Sequence, residues 1–190
     1  MKRSIQSSIR HSVDNYNRLL VDEDLQNNIE IIVKKSIEAF QLGKKMLLCG
    51  NGGSAADAQH IASELSGRFY ADRAPLYAEA LHVNSSYMTA VANDYGYEET
   101  YARMVEASGR KGDILFGIST SGNSPNVVKA LKKAKDKEML TIGFTGSNGG
   151  KMNTICDIII KVPSDDTPRI QEAHILIGHI ICQLIEEEMF

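Results

Sequence analysis

Two side chains with the chemistry for catalysis or metal binding, His60 and Glu64, follow a glycine-rich loop. They are four residues apart in an alanine-containing segment that favours a helix, so they lie one turn apart on the same helix face. An imidazole and a carboxylate in this arrangement can ligate a metal ion or share a proton transfer. A surface His–Glu pair without a chemical role has the same spacing, and the rest of the chain must distinguish the two.

The segment before this pair has the pattern of a strand, a turn and a helix start. Residues 46–49 are apolar, as in a short strand that is buried on both faces. The turn Asn51-Gly52-Gly53 contains two glycines, which accept φ > 0 and let another molecule approach the backbone closely. Ser54 is a suitable N-cap. Free N–H groups at such a helix start attract an oxyanion, although many Gly-Gly turns before helices bind nothing.

A second polar loop, Ser119-Thr-Ser-Gly-Asn-Ser124, directly follows an apolar run at 114–118. Hydroxyl oxygens and free backbone N–H groups between a strand end and a helix start form a neutral cradle for a phosphate monoester. The loop lacks the lysine of a Walker motif, which disfavours a nucleoside triphosphate. A serine-rich N-cap is the alternative, but six consecutive small polar residues exceed what capping requires.

Composition predicts one soluble domain over 1–190. The chain has 190 residues, 43% of them hydrophobic, and a net charge of -3, which disfavours nucleic acid as a partner. We find no signal peptide and no apolar run of bilayer length, so no membrane association is expected. The three cysteines, Cys49, Cys156 and Cys182, form no CxxC pair, which favours a reducing compartment. The expected location is therefore cytoplasmic.

Residues 1–43 predict two amphipathic helices that are separated by a break at 21–24, with Gly43 as a C-terminal stop. The apolar stripe of the first helix consists of Ile5, Ile9, Val13, Tyr16 and Leu20. This stripe must either cover the sheet of its own subunit or join partner helices in a bundle. We therefore expect an oligomer.

From residue 45 onward, short apolar runs alternate with helical periodicity, which is typical of a mostly parallel sheet wrapped by helices. The predicted strands are 46–49, 76–81, 114–119, 140–145 and 158–162. The predicted helices between and after them include 85–93, 97–107, 124–135 and 170–188. In such an α/β fold, doubly wound in the flavodoxin-like manner, ligands bind beyond the carboxyl ends of the strands.

Several motifs together resemble the phosphoheptose isomerases, the sedoheptulose 7-phosphate isomerases of the sugar isomerase (SIS) fold, over essentially the whole chain. The motifs are Leu48-Cys-Gly-Asn-Gly-Gly-Ser54, His60 with Glu64, Gly67-Arg68, Ala92-Asn-Asp-Tyr-Gly96, the serine loop from Gly117, and Arg169-Ile-Gln-Glu-Ala-His174 followed by His179. The resemblance implies a homotetramer with a central bundle of N-terminal helices and sites at subunit interfaces. It also implies isomerisation of sedoheptulose 7-phosphate to D-glycero-D-manno-heptose 7-phosphate, the first step toward the heptoses of lipopolysaccharide or capsule.

The resemblance also implies roles for individual residues. Glu64 and His179 fall on the proton-transfer pair, with Glu64 expected to remove the proton, although the two roles could be exchanged. The zinc positions, for one divalent ion per subunit, correspond to His60, Glu64, Gln171 and His179. The substrate positions correspond to Asn51, Gly52, Gly53, Ser54, Glu64, Asn93, Asp94, Ser119, Thr120, Ser121, Ser124 and Gln171.

The spacing of Gln171 and His179 limits this ligand set. They are eight residues apart, about 12 Å along one straight helix, which would strain direct ligation of one ion by both. Either the helix begins after Gln171 or the two residues serve one site from different subunits. Pro168 is a departure from the family, because some relatives carry Asp there, so no acid role is assigned at this place.

Other members of the fold provide the competing interpretations. A non-catalytic adaptor that binds a replication initiator has no need for an acid–base pair, and a sugar-phosphate-sensing transcription regulator would need a DNA-binding domain. Sequence alone distinguishes poorly between an isomerase of sedoheptulose 7-phosphate and one acting on another sugar phosphate, such as a hexosamine or pentose phosphate.

Overall fold

A computed structural model describes residues 1–190. The helices are α1 (Lys2–Leu20), α2 (Glu23–Gln41), α3 (Gly53–Ser66), α4 (Ser85–Tyr95), α5 (Thr100–Ser108), α6 (Pro125–Asp136) and α7 (Thr167–Met189). The strands are β1 (Met46–Gly50), β2 (Ala78–Ala80), β3 (Ile114–Ile118), β4 (Leu140–Thr145) and β5 (Ile158–Lys161). Short 3-10 turns occupy Tyr97–Glu99 and Gly150–Thr154. No helix has the length and apolar character needed to cross a membrane.

All five strands are parallel, in the order β2-β1-β3-β4-β5. This is the flavodoxin-like order, so the predicted fold class is confirmed. β2 is shorter than predicted because it is an edge strand that pairs only with β1, over three residues. At its predicted start, the N–H of Leu76 instead donates to the Leu65 carbonyl of α3.

The core lies on both faces of the sheet, because alternate residues of each strand point to opposite sides. In β1, Met46 and Leu48 belong to the cluster that includes side chains of α2, α3 and α7. Leu47 and Cys49 belong to the cluster formed with α5 and α6. The site-bearing helices α3 and α7 therefore share one face of the sheet.

The two N-terminal helices form as predicted, and Asp22 begins α2 by accepting a hydrogen bond from Leu25 N–H at 2.9 Å. α1 and α2 both pack on α7, but α1 does so through a different side from its apolar stripe. Asn15 and Leu19 are its buried residues. The stripe residues Ile5, Ile9, Val13, Tyr16 and Leu20 remain 36–74% exposed. The stripe therefore does not cover the sheet of its own chain, which leaves a partner helix as the remaining alternative.

α3 and α7 run side by side in the same direction, and they pack tightly at Gly178. A Cβ atom at this position would lie 2.6 Å from Cδ1 and 2.8 Å from Cγ1 of Ile61. Ile61 is itself buried, so it has little room to move. The absence of a side chain at Gly178 therefore determines how near α7 lies to α3.

We predict that Gly178→Val lowers the free energy of unfolding by about 1–3 kcal/mol, because the new methyl groups overlap Ile61 in a packed core. Urea unfolding followed by circular dichroism measures this change. Glu188→Val introduces the same residue at an exposed position of α7 and should stay within about 0.5 kcal/mol of wild type. Equal stabilities of the two variants would contradict the close packing at Gly178.

Candidate active site

The polar loops identified in the sequence follow β1 and β3 at the carboxyl edge of the sheet. The strand order changes direction between these two strands, because β1 leads outward to β2 while β3 lies on its other side. Doubly wound folds bind ligands at such a switch point. The fold therefore brings the loop 51–54 and the loop 119–124 to one crevice.

Three predicted residues converge further along α3 and α7, where Glu64 lies about 16 Å from the start of α3 at the crevice. His60 and Glu64 of α3 face His179 of α7, and the Nε2 atoms of both imidazoles approach the same carboxylate oxygen, Glu64 Oε1. The distances are 3.1 Å from His60 and 3.2 Å from His179. The two rings meet edge to face, with centroids 5.1 Å apart. The nearest donor atoms of the three residues all lie within 4.8 Å of one another.

This trio has the donor set and the unsatisfied atoms of a cation site. Two imidazole nitrogens and a carboxylate are typical protein ligands of catalytic zinc, which leaves a further coordination position open. Glu64 is buried, and its Oε2 has no hydrogen-bond partner. His179 Nε2 is also without one, since its contact with Glu64 is not directed as a hydrogen bond. The trio could therefore hold a metal ion.

Gln171 lies away from the trio. α7 begins at Thr167, so the predicted alternative that the helix starts after Gln171 is wrong. The Gln171 side chain packs against Gly53 at the start of α3, where a Cβ atom would lie 2.5 Å from its Nε2. His179 is eight residues further along the same helix, about 12 Å away. Only a neighbouring subunit could bring a Gln171 side chain to this trio.

The hydroxyl loop closes on itself rather than capping the helix behind it. Ser119 Oγ lies 2.9 Å from Ser124 Oγ and 3.4 Å from Ser121 Oγ. Ser124 is the N-cap of α6, yet its side chain makes no capping hydrogen bond. The hydroxyls thus remain available to an oxyanion, whereas in the first turn of α6 Pro125 has no N–H and the N–H groups of Val127 and Val128 are already bonded. Thr120 contributes its carbonyl to a bond from Gly146 N–H.

The glycine loop differs from the prediction at the helix start. Gly52, with φ of 55°, is the N-cap of α3, so the prediction of Ser54 as N-cap is wrong. Ser54 is instead buried within the first turn of α3. The turn has already begun before it, since the carbonyls of Asn51 and Gly52 accept hydrogen bonds from the N–H groups of residues 54–56. A positive φ is readily adopted by glycine and rarely by serine, which explains the shift.

Asn51 is held by a pair of amide hydrogen bonds that the sequence did not indicate. Its Nδ2 donates to Asn126 Oδ1 at 2.9 Å, and Asn126 Nδ2 donates back to its Oδ1 at 2.8 Å. The Tyr97 hydroxyl donates to the same Oδ1 at 3.1 Å. Asn126 is 2% exposed, so its amide joins the β1 loop to the start of α6. The only sequence signal was an asparagine two residues behind the hydroxyl loop.

Two predicted substrate residues, Asn93 and Asp94, lie exposed near the end of α4. Their side chains hydrogen bond to each other at 2.8 Å. His174 has a different environment, because it is fully buried and its Nε2 lies 3.2 Å from the Thr145 carbonyl. Burial lowers the pKa of His174 to about 4, so it is a neutral core histidine rather than a member of the trio.

Asp57 is a second residue that was missed, although it lies on the helix face of His60 and Glu64 at a spacing of three and seven. Its Oδ2 is buried without a hydrogen-bond partner. Burial raises the pKa of this carboxyl from 3.8 to about 6, partly opposed by the nearby His60. The charged form of Asp57 is therefore less favourable in the folded protein than in the unfolded chain, even with His60 nearby.

We predict that Asp57→Asn stabilises the protein more at about pH 7.5 than at about pH 4. Because the pKa of Asp57 is raised in the folded state, this group lowers the free energy of unfolding as pH rises from 3.8 through about 6. Asparagine carries no charge and removes this loss. Thermal unfolding at the two pH values measures the difference. Asp72→Asn, at an exposed position, should show no such pH-dependent gain. A gain that is the same at both pH values would contradict the raised pKa.

Comparisons with known proteins identify the family. The SIS domain family model matches residues 12–146. The chain is 53% identical over 190 residues to the phosphoheptose isomerase of Aneurinibacillus thermoaerophilus, covering 100% of this chain and 96% of that protein. It is 52% identical over 190 residues to the phosphoheptose isomerase of Clostridium acetobutylicum, covering 100% and 97%.

Solved structures agree with these sequence relatives. The fold matches the phosphoheptose isomerase of Neisseria gonorrhoeae with a TM-score of 0.92 and 38% identity, over 98% of both chains. It matches the phosphoheptose isomerase of Francisella tularensis with a TM-score of 0.94 and 37% identity, over 97% of both chains. The chain therefore belongs to the phosphoheptose isomerases of the SIS domain family.

Proposed function

We propose that this protein is an aldose–ketose isomerase that converts sedoheptulose 7-phosphate to D-glycero-D-manno-heptose 7-phosphate, the first step of heptose synthesis for lipopolysaccharide or capsule. The observation that carries the proposal is the approach of His179 Nε2 to within 3.2 Å of Glu64 Oε1 in a chain whose sheet also carries a loop of clustered hydroxyls. Two relatives at more than 50% identity are phosphoheptose isomerases, which supports this choice of substrate. No observation favours a non-catalytic adaptor or an isomerase of another sugar phosphate.

The reaction needs a base for the proton on the carbon next to the carbonyl and an acid for the oxygen. Glu64 has one oxygen, Oε1, facing the two imidazoles and the other, Oε2, free of protein partners. The Glu64 carboxylate takes the carbon-bound proton and later returns it to the neighbouring carbon. His179, whose side chain is 38% exposed, exchanges a proton between O1 and O2 as the enediol forms and collapses.

A divalent ion, zinc in this proposal, would be held by His60, Glu64 and His179, with Gln171 of a neighbouring subunit as a further ligand. When bound, it would polarise the substrate carbonyl and stabilise negative charge on the oxygens. The protein contributes by holding three donor atoms within 4.8 Å of one another before any ligand arrives.

The phosphate end of the substrate binds at the hydroxyl loop, through Ser119, Thr120, Ser121 and Ser124. The remaining sugar contacts are assigned to Asn51, Gly52, Gly53, Ser54, Asn93, Asp94 and Gln171. Support comes from the hydroxyl cluster, which has Oγ–Oγ distances of 2.9 and 3.4 Å and no capping role. Because the cradle carries no cation, it recognises phosphate by hydrogen bonding to its oxygens.

We further infer a cytoplasmic homotetramer with sites at subunit interfaces. The exposed apolar stripe of α1 supports association, since a face of this kind is stabilised by burial against another helix. The distance of Gln171 from the trio within one chain supports a shared site. All three cysteines are free thiols, in keeping with a reducing compartment.

The direct test is incubation of the pure protein with sedoheptulose 7-phosphate and observation of a new aldose by NMR. We expect signals of the heptose 7-phosphate to appear at the expense of the ketose. Turnover of a pentose or hexosamine phosphate, with none of the heptulose phosphate, would overturn the substrate assignment.

Removal of metal should slow this reaction. We predict that dialysis against a chelator lowers kcat by at least about 10-fold and that added Zn²⁺ restores it, because the trio then loses the charge that polarises the carbonyl. Rates measured before dialysis, after it and after zinc addition make the comparison. Unchanged turnover in metal-free protein would remove zinc from the mechanism while leaving the isomerase assignment intact.

We predict that Glu64→Gln and His179→Gln each lower kcat by about 10²–10⁴-fold, because each removes one partner of the proton transfer. Glu188→Gln makes the same chemical change at an exposed position of α7 and should retain wild-type turnover. Near-wild-type kcat in either site variant would exclude that residue from the chemistry.

A further inference from the structure

A buried ion pair, Arg73 with Glu186, lies just beyond the trio and has no role in the reaction described above. Arg73 Nε is 2.9 Å from Glu186 Oε2, and the two side chains are 3% and 5% exposed. Arg73 belongs to the connection between α3 and β2, whereas Glu186 lies on α7, seven residues after His179. A spacing of seven is nearly two helical turns, so both side chains project from the same side of α7.

The guanidinium of Arg73 binds the end of the helix that carries Glu64. Its Nη2 donates to the backbone carbonyl of Glu64 and its Nη1 to that of Leu65, both at 2.8 Å. α3 ends at Ser66, so these carbonyls belong to its last turn, where acceptors have no partner within the helix. A cation at this place also opposes the negative end of the helix dipole. Arg73 therefore holds the backbone of Glu64 directly.

The carboxylate of Glu186 binds the segment that follows α3. Its Oε1 accepts hydrogen bonds from Tyr70 N–H at 2.8 Å and Ala71 N–H at 2.7 Å, and its Oε2 accepts one from Phe69 N–H at 3.2 Å. Burial of this carboxyl favours a higher pKa, but the three N–H donors and Arg73 outweigh it, so the net pKa of Glu186 is lowered. It is thus held as an anion.

The same segment reaches the second member of the proton-transfer pair. The ring of Phe69 lies beside the imidazole of His179, with centroids 5.9 Å apart and planes inclined by 30°. Because the N–H of Phe69 is bound by Glu186, the ring is anchored to the helix on which His179 stands. The ion pair therefore contacts both members of the proton-transfer pair indirectly. Arg73 binds the backbone carbonyl of Glu64. Glu186 binds the N–H of Phe69, whose ring lies beside His179.

We propose that Arg73 and Glu186 are positioning residues that hold Glu64 and His179 at the separation the reaction requires. This inference rests on the proposed function, because it gives the pair a purpose in proton transfer and metal binding. It differs from a purely stabilising role. A shift of about 1 Å between reacting groups is enough to cost about 100-fold in rate, and loss of an outer partner of a metal ligand typically costs about 10–100-fold in metal affinity or activity.

The chain contains a matched control in a buried ion pair that contacts neither site-bearing helix, Asp113 with Lys45. Asp113, immediately before β3, accepts hydrogen bonds from the N–H groups of Lys45 and Arg110 and pairs with Lys45 Nζ at 2.6 Å. Its side chain is 3% exposed, so it resembles Glu186 in burial and in bonding. Its hydrogen bonds join the starts of β1 and β3, and none of them reaches α3, α7 or the segment 69–71. Breaking it tests loss of a buried ion pair without loss of positioning.

The experiment compares Glu186→Gln and Arg73→Lys with Asp113→Asn in the full-length protein. For each we would measure thermal stability, kcat and KM for sedoheptulose 7-phosphate, Zn²⁺ affinity by titration calorimetry, and the NOE between the Phe69 and His179 rings. We expect all three variants to melt earlier. Only Glu186→Gln and Arg73→Lys should lower kcat and Zn²⁺ affinity, each by about 10–100-fold. KM should change by less than about 3-fold, because the phosphate cradle belongs to other elements.

Arg73→Lys separates geometry from charge, since lysine keeps the cation but cannot bind Glu186 and two carbonyls with one planar group. Variants at Arg73 and Glu186 that melt early but keep wild-type kcat, Zn²⁺ affinity and NOE would overturn the positioning role. A wild-type protein that lacks isomerase activity would instead contradict the proposed function. In that case the Zn²⁺ affinity and the NOE still test the positioning role. The role is contradicted if neither quantity is lower in Glu186→Gln and Arg73→Lys than in Asp113→Asn.

Discussion

The contact between α3 and α7 is the constraint on which the rest of the site depends. Each helix carries part of the trio, so the distance between Glu64 and His179 is set by how closely the two backbones pack. Gly178 permits that approach, because any side chain there would overlap Ile61. The sheet beneath them supplies a common platform, and the loops after β1 and β3 bring the polar crevice to the same edge.

Much of the fold could be predicted from sequence because its signals are local. Apolar periodicity identified the strands and helices, and alternation of the two identified a parallel sheet. His60 and Glu64 were visible as a pair because four residues make one helical turn. The convergence of His179 with them depends on tertiary packing, and the motif resemblance rather than any spacing indicated it. The trio was therefore predicted partly from helix spacing, for His60 and Glu64, and partly from the family resemblance, for His179.

Several of the features that were missed depend on contacts between residues distant in sequence. Asn126 meets Asn51 across 75 positions, and Arg73 meets Glu186 across 113. The unpaired carboxyl of Asp57 becomes apparent only once its burial is known. The start of α3 was misplaced for a local reason. Gly52, with φ of 55°, is the N-cap, whereas the N-cap was expected two residues later at Ser54. The direction of the α1 stripe could not be decided either, because periodicity shows that a face is apolar without showing what covers it.

The paired amides of Asn51 and Asn126 have a consequence for how the protein responds to acidity. They link the loop after β1 to the start of α6, and each amide serves the other as donor and acceptor. Neither group gains or loses a proton in the physiological range. These hydrogen bonds between the two segments therefore do not depend on pH. A change of pH alters the charge of other side chains, such as the buried carboxyl of Asp57, while the spacing between these two segments is kept.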